Sequence, residues 1–595
     1  MQRILSVIAI IDTPTPEGWI NQLIDRLEAR DKVQLNIVVQ EPAGQPVDAS
    51  DSLSESATHG DNASGGSMRG FRPASGSWPG RLASRLLHQR IDRPRFSANP
   101  WLRETLHAST STQVLNAENC GTLLADCDVV LKLTGTKLPD PLWPPASVPV
   151  WDAHLETLGA RTEDSLLQRE SLNWVHLWSH SRGDGSHTVQ TRRIASHALP
   201  RQSFSLTDLS RAAWFCLPAL IDSRLNWLAH DSDPVSTEYS GSLPMAGRTI
   251  DPEVRAAHSR AEELQRRAYH PPARSGLHRL ALALALWWSQ SVERVRHHFW
   301  YEQWQLAFRN DGPDALFHSA GTETTAERLE NSNRLDALAN GRVGDFVTID
   351  SPERVWWADP HLYRHEDDLY VFFEEMALDA DYGHLSVARL TDEGRVESVA
   401  KVLDEGHHLS YPFVFNDDKE IYMIPETASM QSVQLYRAQH FPEQWVKVKD
   451  LLCNVNLADS TVHFDGERWW MFTNGMSHRS VDERDELHLY HADNVTGPWQ
   501  AHPMNPVVTG VDRARMAGSI IRDGSGLYRP SQFGALRYGH GINLHRIDRL
   551  DLQSYSETTV GRLLPEAGSP WLGCHSTSYL DGVTVVDRVT RRRRH

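Results

Sequence analysis

A unit of strand, turn and strand occurs five times in the C-terminal half of the chain, and it limits the possible folds more than any other feature. The clearest copy, WWADPHLYRHEDDLYVFFEE, covers residues 356–375. The others are SYPFVFNDDKEIYMIPET (410–427), ADSTVHFDGERWWMFTNG (458–475), AGSIIRDGSGLYRPSQ (517–532) and HSTSYLDGVTVVD (575–587). Alignment puts five residues in register at intervals of 52, 48, 58 and 58: Asp359, Tyr411, Asp459, Ala517 and His575. A period near fifty with this core indicates one β-sheet blade per repeat. We therefore predict an all-β, five-bladed propeller.

A further strand completes each predicted blade. Four hairpins are followed by segments that alternate polar and apolar residues, as half-buried strands do: 384–390, 432–438, 486–492 and 541–547. The fifth hairpin has no such segment after it, whereas EQWQLAFR (302–309), upstream of the first hairpin, has the same alternation. We expect strand 302–309 to complete the last blade and close the ring, which leaves few exposed sheet edges. This gives a propeller over residues 301–588, followed by a basic tail at 589–595.

The N-terminal part has the pattern of an α/β domain. Segments 4–11 and 33–40 are typical of strands and segment 17–30 of a helix, which favours an open α/β sheet. Residues 41–97 are rich in Gly, Ser, Pro and Asp, which predicts a disordered insertion. A strand at 128–134, a strand pair at 174–180 and 186–194, and helices at 206–229, 252–269 and 277–299 follow. We assign residues 1–230 to this domain and 231–300 to a helical linker.

Composition excludes several classes of function. The chain has 595 residues, too many for a single core, and its formal charge of −17 argues against general nucleic-acid binding. No apolar run approaches the ~20 residues that cross a bilayer, and we interpret the apolar N-terminus as a first strand. Five cysteines without CxxC spacing indicate reduced thiols and a cytoplasmic protein. The basic run at 591–594 is expected to be a solvated terminus, and the oligomeric state stays open.

The repeats predict where carboxylates meet. The first strands of a propeller line its central channel, so the residues that open the repeats should converge on one mouth: Asp359, Tyr411, Asp459 and His575. Further carboxylates lie at the ends of second strands, namely Glu374, Glu375 and Glu426. Glycosidic bond chemistry needs one carboxyl that protonates the leaving oxygen and one that activates water or an acceptor hydroxyl. We predict Asp359 and Asp459 as catalytic carboxylates, with Glu426 and Glu375 competing for the role of acid.

Aromatic and basic residues supply candidates for substrate binding. The chain has 20 tryptophans, and Trp356 and Trp357, just before the first strand, could stack on a sugar ring. The further candidates are Tyr411, His408, His575 and Arg529. No His or Cys cluster has metal-ligand spacing, although oxygen ligands would admit Ca²⁺ in the channel. No metal or other cofactor is predicted for the propeller.

Seven segments resemble a known family. WADPHLY, FFEE, HLSYPFVF, IYMIPET, DELHLYHAD, GPWQAHPMNPV and LYRPSQ are similar to the propeller domain of glucosamine inositolphosphorylceramide transferases, over about residues 300–588. In plants that domain precedes a separate glycosyltransferase domain. In bacteria it is often fused behind a formyltransferase-like domain, the order seen here. An Asp-Pro that opens the first blade also resembles the way five-bladed glycoside hydrolases place a catalytic aspartate. The resemblance implies a sugar, a nucleotide sugar or a glycolipid headgroup as ligand.

A second resemblance concerns the N-terminal domain. CDVVLKLTG, followed by VPVWDAHLETLG, a strand pair and an Ala/Leu-rich helix, resembles the formyltransferase-like domain of such bacterial proteins. Formyltransferases use an Asn–His–Asp constellation to polarise the formyl carbonyl and shuttle the proton. Asp152 and His154 lie where that family has its His motif, but no matching Asn is evident. We interpret the site as degenerate, so that folate is a cofactor only if the domain is active.

Three functions remain as alternatives. The first is an enzyme that modifies a glycan or glycolipid sugar, by transfer or hydrolysis, with the channel carboxylates. The second is a propeller that binds a sugar without catalysis. The third is an amino-sugar N-formyltransferase that would bind folate through residues 1–230.

Overall fold

The computed structural model describes residues 4–11, 18–40, 112–116, 118–134, 143–145, 148–153, 173–182, 189–199, 206–229, 276–310, 343–349, 351–391, 393–476, 484–523, 526–534, 537–566 and 568–594. The insertion predicted at 41–97, the helix predicted at 252–269 and His154 lie outside these residues.

The N-terminal domain is built on one seven-stranded mixed sheet with the order β3-β2-β1-β4-β5-β6-β7. The strands are β1 (Leu5–Ile11), β2 (Val33–Gln40), β3 (Thr112–Leu115), β4 (Val129–Lys132), β5 (Val150–Asp152), β6 (Asn173–Arg182) and β7 (Val189–Leu199). The first five pair in parallel. The last two pairings are antiparallel. The α/β pattern read from residues 4–40 is therefore present.

Helices pack on this sheet through apolar side chains. They are α1 (Gly18–Glu28), α2 (Cys120–Leu123), α3 (Leu206–Ala229) and α4 (Gly276–Phe299). Trp19 of α1 and Trp214 of α3 pack with ring centroids 5.3 Å apart. Their core also includes residues of α1, α3, the sheet and Ala283 of α4. The last helix, α4, runs directly into the first strand of the propeller.

Five further sheets follow, and they are the blades of the propeller. Blade one comprises β10 (Val355–His365), β11 (Asp368–Ala377), β12 (His384–Leu390) and β13 (Val396–Leu403). Blade two comprises β14 (Ser410–Asp417), β15 (Glu420–Glu426), β16 (Ser432–His440) and β17 (Gln444–Cys453). Blade three comprises β18 (Ala458–Phe464), β19 (Trp469–Gly475), β20 (Glu486–Ala492), β21 (Gln500–Ala501) and β22 (Val508–Thr509). Blade four comprises β23 (Ile521–Asp523), β24 (Gly526–Phe533), β25 (Gly541–Leu550) and β26 (Tyr555–Leu563).

Blade five joins the two ends of the propeller. It contains β27 (Trp571–Gly573), β28 (Thr577–Leu580), β29 (Val583–Arg593), β8 (Trp300–Asn310) and β9 (Val347–Thr348). β8 pairs with β29 along its whole length, from Trp300 opposite Arg593 to Asn310 opposite Val583. Apolar clusters fill the spaces between blades five and one, one and two, two to four, and four and five. The five-bladed propeller predicted from the repeats is thereby confirmed.

The N-terminal domain packs on the propeller through α1 and α3. Asp222 of α3 accepts hydrogen bonds from Arg30 at 2.9 and 2.8 Å, and Arg30 also donates to the carbonyl of Asn505. Asn226 donates to the carbonyl of Pro503 at 2.7 Å. These partly buried polar contacts fix the domain against the outer loop of blade three.

Candidate active site in the propeller channel

The same backbone irregularity directs the leading residues of three blades toward the channel. Asp359, Tyr411 and Asp459 have φ angles of 52°, 46° and 53°. At each position the pairing between the first and second strands shifts register. A non-glycine residue with positive φ costs free energy, so a fold retains it where the surrounding structure enforces it, often at functional sites. In blade four the residue with positive φ is Gly518, next to the Ala517 of the repeat alignment.

The centre of the site is a buried histidine between two carboxylates. Nε2 of His575 lies 3.2 Å from Oδ1 of Asp359, and its Nδ1 lies 2.8 Å from Oδ2 of Asp587. Burial alone would lower the pKa of His575, but Asp587 and Asp359 raise it well above its ordinary value. The imidazole is therefore an imidazolium at neutral pH, and it holds a positive charge beside Asp359.

Asp587 also fixes the backbone around this pair. Its carboxylate is fully buried and accepts hydrogen bonds from the backbone N–H groups of His575, Ser576 and Asp359, at 2.8, 3.0 and 3.1 Å. Because these donors come from blades five and one, Asp587 connects the two blades where the ring closes.

Glu374 is the carboxyl most affected by its surroundings. Burial, followed by the negative charge of Asp359, raises the pKa of Glu374 to about 8, although His575 opposes the shift. Nε2 of His408 lies 3.8 Å from Oε1 of Glu374, while Nδ1 of His408 accepts the backbone N–H of Gly383. Glu374 is consequently protonated at neutral pH and can serve as a proton donor.

A second cluster of buried charged residues lies on blades two and three. Nε of Arg515 donates to Oδ2 of Asp459 at 2.5 Å, and the Asp459 side chain is almost fully buried. Burial, then the charge of Asp459, raises the pKa of Glu426, against the hydrogen bond it accepts from the N–H of Ala428. Glu426 also contributes to the raised pKa of Glu374, so the two groups belong to one electrostatic cluster.

Aromatic side chains form one wall of the site. The Trp304 ring lies 4.4 Å from that of His575, and the Tyr538 ring lies 5.1 Å from it. The Arg515 guanidinium lies 5.3 Å from the Tyr538 ring centroid, in cation–π geometry. Tyr538 is partly exposed, so one side of its ring is open to a ligand.

The structure brings together many of the residues selected from the sequence. Those at the channel are Asp359, Asp459, Glu426, His408 and His575. Tyr411 joins them: its hydroxyl meets that of Thr461 at 2.8 Å, and the nearby carboxylates contribute to its raised pKa, after burial.

Glu375, Trp356 and Trp357 are placed less directly, although Trp356 packs in the same apolar cluster as Trp304 of the aromatic wall. Successive side chains of a strand point to opposite faces. Glu374 therefore joins the carboxylate cluster, whereas Oε2 of its neighbour Glu375 lies 3.8 Å from Nε2 of His384. Trp357 is buried against Phe373, whereas Trp356 is partly buried and donates its indole N–H to the carbonyl of Glu302.

Arg529 is not available to a ligand. It is fully buried in blade four, and its guanidinium donates to both carboxylate oxygens of Glu557, at 2.7 and 2.6 Å. It also donates to the backbone carbonyls of Arg513 and Ala514. Arg529 therefore stabilises the blade.

Asp587, Arg515, Trp304 and Tyr538 were not selected from the sequence. The sequence does contain an indication that Asp587 matters. Asp587 and Arg588 are charged residues within the apolar strand β29, and buried charges are rare unless they are paired. Trp304 belongs to the strand assigned to blade closure, and Arg515 and Tyr538 lie in irregular segments. Only the folded ring brings these residues to His575.

One group meets the distance requirement of a metal site. Ligand atoms of Asp359, His575 and Asp587 all lie within 4.8 Å of one another. However, the Asp587 oxygens already accept three backbone N–H groups, and both nitrogens of His575 face carboxylates. The imidazolium already supplies the positive charge there, so the arrangement favours an ion-pair triad.

The N-terminal domain has its own polar pair. Nζ of Lys132 lies 3.1 Å from Oδ2 of Asp152, at the carboxyl ends of the neighbouring strands β4 and β5, and both side chains are buried. This salt bridge occupies Asp152. The formyltransferase resemblance of the domain stays a prediction.

Comparison with known proteins agrees with the repeats. Residues 345–573 match the family model described as Glucosamine inositolphosphorylceramide transferase 1, N-terminal. The propeller resembles that family. A glucosamine inositolphosphorylceramide transferase 1 from Oryza sativa subsp. japonica is 36% identical over 213 residues, which are 35% of this chain and 28% of the relative. The one from Arabidopsis thaliana is 36% identical over 208 residues, 34% of this chain and 27% of the relative. The chain thus spans less than a third of these relatives.

Solved structures give weaker likenesses. A family 117 glycoside hydrolase from Zobellia galactanivorans is 11% identical, with a TM-score of 0.27, over 41% of this chain and 87% of that one. An arabinanase from Bacillus subtilis is 12% identical, with a TM-score of 0.28, over 40% of this chain and 93% of that one. The propeller assignment rests on the strand pairing described above.

Proposed function

We propose that this protein is a carbohydrate-active enzyme that modifies the sugar of a glycan or glycolipid in the propeller channel. The observation that carries the proposal is that Glu374, whose pKa is raised to about 8, belongs to the same buried cluster as the carboxylate of Asp359, whose charge contributes to that shift. A neutral acid and an ionised carboxylate in one cleft are the two groups that glycosidic bond chemistry requires. The name of the matching relatives supports a sugar linked to a lipid headgroup as substrate.

The charge of each residue would determine its role in the reaction. Glu374 would donate a proton to the leaving oxygen. Asp359 would orient or activate the attacking hydroxyl, with the imidazolium of His575 holding its carboxylate in place. Tyr538 would contact the sugar ring. Either water or an acceptor hydroxyl fits this scheme, so hydrolysis and transfer both remain consistent with it.

A matched pair of substitutions tests the proposal. The purified protein is screened against nucleotide sugars and aryl glycosides of glucosamine, and turnover is then measured for Glu374→Gln and Glu375→Gln. Loss of a general acid lowers kcat by about 10²–10⁴-fold, so Glu374→Gln should lose turnover. Glu375→Gln, which changes the next residue on the same strand, should retain it. Equal activity of both variants would overturn the role of Glu374.

A specific observation also supports a sugar-binding propeller without catalysis. Both leading aspartates already have cationic partners, Asp359 with His575 and Asp459 with Arg515. Each pair occupies a carboxylate oxygen that would otherwise be available to a substrate. Sugar binding by calorimetry that persists in Asp359→Asn, with no turnover by the unmodified protein, would establish this alternative.

N-formyl transfer is the third candidate, and its support is the sequence around Asp152 and His154. The buried salt bridge to Lys132 does not favour a catalytic role for Asp152. Titration of the full chain with a reduced folate tests it: absence of binding would remove this function and leave the propeller proposal unaffected.

A further inference from the structure

An apolar stripe runs along the outer face of α4. Its members are exposed large side chains: Leu277 (70% exposed), Leu284 (46%), Trp288 (67%), Val292 (38%) and Phe299 (52%). Their spacings of seven, four, four and seven residues place them on one side of a helix. Ala283, on another side of the helix, is buried in the N-terminal core, and Leu280 packs against the same core at the margin of the stripe. Because exposed apolar patches of this size are uncommon, the stripe indicates an interaction surface.

A basic cluster, here called the basic edge, lies at the C-terminal end of the stripe. It consists of the exposed residues Arg296, Arg592, Arg593 and Arg594. Arg593 and Arg592 pair with Trp300 and Tyr301 at the start of β8, directly after α4. The backbone N–H of Arg594 donates to the carbonyl of Phe299 at 2.7 Å. The last apolar residue of the stripe therefore contacts the basic edge.

Strand geometry places the basic edge on the mouth side of the propeller. Asp587 lies level with Asp359 and His575, because it hydrogen-bonds the backbone of both. From there β29 continues toward the mouth for six more residues to Arg593, about 20 Å at ~3.3 Å per residue. The stripe therefore ends on the side of the propeller from which the inner strand of blade five begins, since this part of β29 pairs with β27, which precedes that strand.

We propose that the stripe and the basic edge bind the surface of an anionic membrane, with α4 lying in the interface and the channel mouth facing the lipid headgroups. Tryptophan and phenylalanine beside arginines are the composition of helices that lie in a membrane interface. The protein carries a formal charge of −17, so this local cluster of arginines is where an anionic surface is attracted. The proposal is independent of the reaction in the channel.

Shape and charge favour a lipid surface over a second copy of the chain. The stripe spans the 23 residues from Leu277 to Phe299, about 33 Å at ~1.5 Å per step between residues, which suits contact with an extended plane. A symmetric dimer in which the two α4 helices ran parallel would also bring the two basic edges together, and like charges disfavour that arrangement. Among the described residues, no helix is long and apolar enough to cross a membrane.

Vesicle binding by the full chain tests the proposal. The probes are vesicles of phosphatidylcholine alone and vesicles of phosphatidylcholine and phosphatidylserine in a roughly 7:3 ratio, an anionic surface. Sedimentation should show binding to the anionic vesicles that weakens as salt is added. Arg592→Ser with Arg593→Ser should reduce binding by about 30-fold, from the usual contribution of an arginine near an anionic surface. Leu284→Glu with Trp288→Glu should abolish it.

Two pairs of substitutions serve as controls. Val399→Glu with Val446→Glu changes exposed apolar residues on the outermost strands of blades one and two. Arg546→Ser with Arg549→Ser removes the same charge from exposed positions of blade four. Both controls should bind anionic vesicles as the unmodified protein does, and circular dichroism verifies that every variant is folded.

Several results would overturn the proposal. Failure of the unmodified protein to bind anionic vesicles at low salt is one, and it needs no variant. Equal binding of the basic-edge variant and its blade-four control is another. A dimer in light scattering that dissociates on Leu284→Glu with Trp288→Glu, without vesicle binding, would assign the stripe to a second copy.

Discussion

Nε2 of His575 lies 3.2 Å from a carboxylate oxygen of Asp359, although the two residues open the last and first blades of the ring. The other ring nitrogen lies 2.8 Å from Asp587. One buried cation therefore compensates two buried anions at the closure of the propeller. Removal of one partner from such a group is costly, because it leaves uncompensated charge in the interior.

We predict that His575→Gln destabilises the protein in a pH-dependent way. The pKa of His575 is raised in the folded state, so its stabilising charge is fully present below the unfolded pKa of about 6.5 and is lost as pH rises through the folded value. The difference in unfolding free energy between the unmodified protein and the variant should be largest near pH 6. It should shrink toward pH 10, as measured by urea denaturation. A difference that stays constant over this range would contradict the imidazolium.

Glu374 should also make the unfolding free energy depend on pH. Its pKa is raised to about 8 in the folded state, so between about pH 4.5 and 8 the folded protein holds a proton that the unfolded chain releases. Stability should therefore fall as pH rises through this window, and the penalty is complete above it. Glu374→Gln avoids the penalty and should be more stable than the unmodified protein at pH 9, by a few kcal/mol.

The neighbouring residue supplies the control for this measurement. Glu375→Gln changes a partly exposed carboxylate near His384, and its unfolding free energy should follow the unmodified protein across the same pH range. If both variants lose the pH dependence equally, or neither does, the raised pKa of Glu374 is wrong.

The Asp459–Arg515 pair should show strong coupling. The Asp459 side chain is almost fully buried and its partner lies 2.5 Å away. Arg515→Met leaves the carboxylate unpaired and should cost roughly 3–5 kcal/mol of stability. Asp459→Asn with Arg515→Met should restore much of that loss, since no lone charge remains. A double-mutant cycle by chemical denaturation measures the coupling, and additive single effects would contradict it.

The propeller could be predicted from the sequence because its signal repeats. The turns and alternating strands recur at a period near fifty. Strand 302–309 alternates polar and apolar residues as the outer strands do, and this predicts that it belongs to the last blade. The structure pairs β8 with β29 in that blade. Each copy reinforces the others, so an error at one position does not change the fold that is predicted.

The chemistry of the site could be predicted only in part. The first residue of each repeat indicated Asp359, Asp459 and His575, but the choice between Glu374 and Glu375 depends on strand phase near the register shift of β10, which a sequence does not show. Asp587 was missed because its partners lie far away in the chain or on the neighbouring strand. Side-chain partners across a ring depend on closure, and periodicity carries no information about them.

Gly518 provides a test of how closely the blades meet at the channel. It has a φ of +140°, and a Cβ built there would lie 1.9 Å from the backbone carbonyl oxygen of Thr577 in blade five. Backbone cannot move aside as a flexible side chain does, so Gly518→Ala must separate blades four and five or distort the channel. We expect a loss of roughly 3 kcal/mol or more, at the upper end of single substitutions.

Gly406→Ala is the matched control, because Gly406 also has a positive φ, of +74°, but nothing lies within 4 Å of its Cβ position. Its cost should be limited to backbone strain of about 1–2 kcal/mol. Urea denaturation of both variants compares the two sites: Gly406→Ala reports backbone strain alone, and Gly518→Ala reports strain together with the clash. Equal losses would mean that blades four and five do not approach as closely as the structure has them, and that the leading residue of blade four is not fixed by contact with blade five.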